Sequence, residues 1–156
     1  FSGWKLSLII TLSKYSLISV SFGAKVSVFV IRHISSNNER MPWIFQPSNE
    51  VMGVVTGKYY NATFYVKNTT NKVMTAQAVP SIAPSNAAAH LKKLECFCFE
   101  QQELAPGEEA LLPVKFLISN ELPKQIKNVI LSYTIFDITD YNQENLAHLE
   151  MQVEKY

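Results

Sequence analysis

Two cysteines stand one residue apart in the run Glu95-Cys96-Phe97-Cys98-Phe99, and the 156-residue chain has no others. As an extended strand, the run alternates its side chains, with Cys96 and Cys98 on one face and Phe97 and Phe99 on the other. Two soft thiols would then line one edge while two aromatic rings anchor the opposite face in a core. Thiolates favour Cu(I), zinc or iron–sulfur clusters. Zinc and iron–sulfur sites ordinarily take four protein ligands, and one chain offers two sulfurs. Cu(I) is content with two or three ligands, so the pair suits that ion, above all where a second chain adds its own pair. A bridge between the two sulfurs reads as strained. Positions i and i+2 of a strand lie about 6.5–7 Å apart at Cα, at the upper limit for a disulfide.

Two rival readings stand beside the copper site. In the first, the cysteines are small hydrophobes packed inside an immunoglobulin-like interaction domain. Against it, Phe97 and Phe99 already supply a core face, and Glu95, Glu100 and Gln101 flank the run as at a solvent-reaching end. In the second, the protein is a thiol–disulfide redox protein, but the usual C-x-x-C at a helix start is absent. His33, His90 and His148 are scattered, and their spacing is not that of a zinc finger. His90 alone stands near the thiols, and its plain reading is an exposed helix residue. No G-x-S-x-G elbow, Walker A run or H-E-x-x-H is present, and Glu108-Glu109 reads as a solvated pair in a turn. Binding or transfer is expected, not catalysis.

The elements that must position the cysteines are mostly strands. Hydrophobic residues make up 47% of the chain and charged residues 17%, enough for one domain with a real core. The formal net charge of +1 gives no field to attract nucleic acid, and no basic cluster with interleaved aromatics exists. Residues 1–24 are apolar without a clean period, and the chain opens on Phe1, not methionine, as at a missing or processed start. Lys5, Lys14 and Lys25 interrupt the apolar stretch; a membrane span within residues 15–31 has Lys25 against it, since a spanning helix wants about 18 uncharged residues. Val26, Val28 and Val30 recur at period two and predict a half-buried strand, followed by a turn at Ser35-Ser36-Asn37-Asn38. Met41-Pro42-Trp43-Ile44-Phe45-Gln46-Pro47 reads as an edge strand with Trp43 and Phe45 on one face.

Residues 51–56 and 59–66 read as strands joined by a hairpin-like turn at Gly57-Lys58. Residues 73–79 form the next strand, broken by Pro80, Pro84 and Ser85. A short helix over residues 86–93, capped by Ser85, precedes the cysteine strand at residues 94–100. Ala105-Pro106-Gly107-Glu108 is a strong turn. Residues 111–118 and 129–136 complete the set, with a short helix expected near Leu146, Leu149 and Val153. The sequons at Asn61 and Asn68 read as plain strand and turn residues. Some eight short strands with frequent turn signals argue for an antiparallel β-sandwich, with a closed barrel as competitor.

The runs Pro42-Trp43-Ile44-Phe45-Gln46-Pro47, Ala76-Gln77-Ala78-Val79-Pro80, Cys96-Phe97-Cys98-Phe99 with Pro106-Gly107-Glu108, and Leu131-Ser132-Tyr133-Thr134 together resemble the CtaG/Cox11 family of cytochrome c oxidase assembly proteins. The resemblance covers roughly residues 26–139. It implies an N-terminal membrane helix followed by an immunoglobulin-like β-sandwich facing the bacterial periplasm or the mitochondrial intermembrane space. It also implies Cu(I) held by Cys96 and Cys98, often in a homodimer, received from an upstream copper donor and passed to the CuB centre of oxidase subunit I. Phe97 and Phe99 would be structural anchors. The domain division expected is an apolar segment at 1–24, the sandwich at 25–139 and a polar tail at 140–156. Of the loops, residues 122–126 look more bacterial than mitochondrial. The family's third cysteine has no counterpart in residues 1–40, and Leu112 stands where a methionine often precedes the proline.

Overall fold

Alternation of apolar and polar residues produces the strands, and their buried faces produce the core. The computed structural model describes residues 28–141. Among these, β1 spans Val28–Asn37, β2 Ile44–Pro47, β3 Val51–Val55, β4 Tyr59–Lys67, β5 Met74–Ala83, β6 Leu91–Cys96, β7 Gln102–Leu104, β8 Glu109–Ile118 and β9 Asn128–Asp137. They form a sandwich of two sheets, ordered β3-β1-β9-β5-β7 and β2-β4-β8-β6. Pairing is antiparallel throughout except between β1 and β9, which run parallel. The immunoglobulin-like expectation holds, and the closed barrel does not.

Period-two burial is clearest where the two sheets face each other. Ala62, Phe64 and Val66 of β4, Leu112, Val114, Phe116 and Ile118 of β8, and Val129, Leu131, Tyr133 and Ile135 of β9 all point inward. Each large apolar side chain taken from water contributes about 1.5–3 kcal/mol. Trp43 and Phe45 share the buried face of the edge region around β2, as their spacing predicts. The turn after β7 also matches: Gly107 has φ of 72°, and the Glu108 N–H donates to the Ala105 carbonyl at 3.0 Å. That left-handed position is one that glycine adopts without a Cβ penalty.

Several expectations are overturned. In β1 it is Phe29, Ile31 and His33 that are buried, while Val30 is only partly so. Ser35, Ser36 and Asn37 are not a turn. They extend β1 in register with Tyr133, Thr134 and Ile135 of β9, where long-range pairing outweighs local turn preference. Gly57-Lys58 does not close a hairpin, because β3 pairs with β1 in one sheet and β4 with β2 and β8 in the other. The turn is an inter-sheet crossing. Strand β5 runs on through Pro80, since β7 pairs only with Met74, Thr75 and Ala76 and leaves the later part of β5 an open side.

The helix expected at 86–93 is a 3-10 turn at Ser85–His90, preceded by Pro84 with no side-chain cap, so Ser85 does not cap it. Lys92 and Lys93 belong instead to β6, paired with Leu117 and Phe116 of β8. Of the proposed membrane span, residues 28–31 lie in β1, and the remainder lies outside the described residues. The expected terminal helix also lies outside them. No helix among the described residues is long and apolar enough to cross a membrane.

Candidate metal centre

The cysteine run is not one strand. Strand β6 ends at Cys96, and Phe97–Phe99 form a 3-10 turn. The neighbouring strand explains the exit. Cys96 pairs with Val114 of β8, and the next residue along β8 is Pro113, which has no N–H to offer a continuing partner. The ladder stops there and the chain peels away from the sheet edge, since β6 is the last strand of its sheet.

The turn changes which side chains share a face. Cys96, Phe97 and Cys98 are all buried, whereas Phe99 is 72% exposed. Phe97 is therefore an anchor and Phe99 is not. The Phe97 ring lies 4.9 Å from that of Tyr133, 5.5 Å from Phe64 and 6.2 Å from Phe45, within the range of favourable aromatic pairs. The turn also shortens the Cα separation of Cys96 and Cys98 to 5.1 Å, and the two sulfurs are joined in a disulfide. The wider separation expected of these two residues belonged to the extended geometry, which the chain does not adopt here.

Residues from distant segments hold the pair. The Tyr133 hydroxyl lies 3.3 Å from Cys96 Sγ, and the Cys98 backbone N–H donates to the same sulfur at 3.3 Å. A bridged sulfur carries no proton, so the hydroxyl is the donor. Burial pushes the Tyr133 hydroxyl well above the ordinary tyrosine range, which keeps it protonated. Gln77 of β5 donates from Nε2 to the Cys98 carbonyl at 2.7 Å. Gln102 of β7 reaches the Phe97 carbonyl at 3.4 Å. Sequence reasoning did not single out Tyr133 or Gln77 as site residues. The available signal was their membership of the A-Q-A-V-P and L-S-Y-T runs.

The histidines do not join the pair. His33 is in the core, its ring near those of Phe64 and Phe116, His90 ends the 3-10 turn before β6, and His148 lies outside the described residues. No three His, Cys, Asp or Glu side chains among the described residues form a metal-binding group. The donor set is thus two sulfurs, buried among aromatic rings. Reduced, it is a soft, low-coordinate set that suits Cu(I) and falls short of the four ligands of structural zinc.

A β-sandwich with a two-sulfur turn at the end of an edge strand is the class of protein that fold and site define. The family described as cytochrome c oxidase assembly protein CtaG/Cox11 matches residues 13–137. The cytochrome c oxidase assembly protein CtaG of Ruegeria sp. (strain TM1040) is 33% identical over 113 residues, covering 69% of this chain and 58% of that protein. The mitochondrial cytochrome c oxidase assembly protein COX11 of Saccharomyces cerevisiae is 38% identical over 111 residues, covering 68% of this chain and 37% of the yeast protein. The CtaG protein of Rhodopseudomonas palustris (strain HaA2) is 30% identical over 134 residues, covering 83% of this chain and 62% of its own length. The chain belongs to the CtaG/Cox11 family of cytochrome c oxidase assembly proteins. It spans between 37% and 62% of the length of these three relatives.

Proposed function

We propose that the chain is a copper carrier, not an enzyme, that binds Cu(I) through Cys96 and Cys98 and delivers it to the CuB centre of cytochrome c oxidase subunit I. The observation that carries this reading is the sulfur pair itself, held within one turn and buried against Phe97 and Tyr133 in a chain of this family. Delivery would proceed by ligand exchange. Cu(I) on two thiolates keeps a coordination position open, so a receiving ligand enters before a donor ligand leaves and the ion is never free. An upstream donor would load the pair in the same way, and a second copy in a homodimer could supply further sulfur. The family relation supports a site on the periplasmic face of the bacterial inner membrane, or on the intermembrane-space face of its mitochondrial counterpart.

The bridged pair has no thiolate to give a metal, so loading requires a two-electron reduction first. Anaerobic titration of dithiol-reduced protein with Cu(I) is expected to give tight binding of about one ion per cysteine pair. The oxidised protein should bind none at the same site. A Cys96→Ser, Cys98→Ser double variant that binds Cu(I) with unchanged affinity overturns the proposal.

A further inference from the structure

The two sulfurs of the bridge are not equivalent. Both hydrogen bonds described above converge on Cys96 Sγ, one from the Tyr133 hydroxyl and one from the Cys98 N–H. Cys96 is also the last paired residue of β6, opposite Val114. Cys98 is held through its backbone, by the Gln77 amide on its carbonyl, and it stands next to the exposed Phe99 and Glu100. One sulfur is held by two protein donors; the other, buried to a similar degree, belongs to the three-residue turn and is positioned through its backbone.

We infer that Tyr133 sets the order in which the bridge opens, making Cys96 the leaving sulfur and Cys98 the sulfur attacked. In thiol–disulfide exchange the better-stabilised thiolate departs faster. An incoming thiolate of a dithiol reductant forms a bond to Cys98 Sγ as the bond between the two protein sulfurs breaks. The electron pair of that bond goes to Cys96 Sγ, which leaves as a thiolate under the Tyr133 hydroxyl and the Cys98 N–H. The reductant's second thiolate then attacks its own sulfur in the mixed disulfide and expels Cys98 as a thiolate. Two electrons pass to the protein, and the reductant becomes a disulfide. Cys98 is thus the sulfur that meets a partner first. Tyr133 is a positioning residue in this step, acting through Cys96. The order of opening does not depend on which metal the reduced pair later takes.

The test uses glutathione as a monothiol probe on the oxidised chain, with acid quenching, alkylation of the freed thiol and peptide mapping of the mixed disulfide. Glutathione is expected on Cys98, with the alkyl label on Cys96. An even split, or glutathione on Cys96, in the unsubstituted chain overturns the inference without any variant having to fold. Tyr133→Phe keeps the ring packing and removes the hydroxyl. It should move the partition toward an even split and slow reduction by dithiothreitol about 3- to 10-fold. Phe64→Leu, which disturbs a ring 5.0 Å from that of Tyr133 but leaves the hydroxyl, should lower stability and leave the partition unchanged. A partition that moves in Phe64→Leu as far as in Tyr133→Phe assigns the effect to packing and refutes the role of the hydroxyl.

Discussion

Phe97 and Phe99 are two residues apart and identical in type, yet their truncation should have very different consequences. On an extended strand both rings would enter the core and both Phe→Ala changes would cost alike. In the 3-10 turn Phe97 is 5% exposed and packs on Tyr133, Phe64 and Phe45, while Phe99 is 72% exposed. Truncating a buried Phe to Ala costs about 3–5 kcal/mol, counting lost transfer energy and the cavity left behind. The three ring contacts place Phe97→Ala toward the upper end of that range. A surface change such as Phe99→Ala stays within about 0.5 kcal/mol. Against a total stability of about 5–15 kcal/mol, the first change removes about a fifth or more and the second almost nothing. With a urea dependence of about 2 kcal/mol per molar, the midpoint for Phe97→Ala should fall by about 1.5–2.5 M. Urea unfolding of the oxidised chain, followed by tryptophan fluorescence and by near-ultraviolet circular dichroism, measures both variants. Comparable losses, or a larger loss for Phe99→Ala, would refute the turn and restore the strand.

Two further outcomes follow from buried polar groups. His33 is 2% exposed, and burial holds its pKa below the ordinary 6.5, opposed in part by the Asn49 backbone. Below about pH 6.5 the unfolded chain takes up a proton that the folded chain resists, so stability falls with pH through this window, by at most about 1.4 kcal/mol per unit. His33→Leu should flatten that part of a urea-midpoint profile between pH 7.5 and 5, and an unchanged slope would rule His33 out as its source. Asn68 is fully buried and donates to the carbonyls of Lys72 and Leu104 while accepting from Thr70, which ties the end of β4 to the end of β7. Asn68→Ala should cost about 1–3 kcal/mol for each buried group it orphans, whereas Asn61→Ala, at the exposed sequon, should leave the thermal midpoint near its original value.

Asn68 also shows what periodicity and turn chemistry can and cannot carry. Its surroundings, Asn68-Thr69-Thr70-Asn71, read correctly as a turn because the side chains satisfy local backbone groups. That its amide also spans to Leu104 is a tertiary fact without a local signature. The strands β4, β8 and β9 were legible for the same reason the turns were, since alternation is a property of adjacent residues. Sheet membership was not. Nothing in residues 51–66 distinguishes a hairpin from a crossing, because the choice depends on whether β1 or β4 completes the better partner for β3. The serines and asparagine at the end of β1 were misread for a related reason. The parallel partner that keeps them extended, β9, lies nearly a hundred residues away, as the Ser36–Thr134 contact with its separation of 98 shows.

The cysteine run was legible as a close pair of sulfurs and misread as geometry, and one residue outside it accounts for the difference. An extended C-F-C-F run needs a neighbour that can go on pairing beyond Cys96, and β8 offers Pro113 there. With the ladder ended, a 3-10 turn satisfies the next backbone groups locally, as in the Glu100 N–H donating to the Phe97 carbonyl at 3.2 Å. The same turn rotates Cys98 back toward Cys96, buries Phe97 and expels Phe99. Gln77 and Tyr133, from two strands of the opposite sheet, then fix the turn from across the sandwich. The site is therefore a joint product of both sheets, which makes its geometry sensitive to how they pack. A cysteine pair built on one regular strand would instead have both sulfurs facing alike and nothing to tell them apart. The break in the ladder is what gives the two cysteines different surroundings, and so allows one to be held while the other is exchanged.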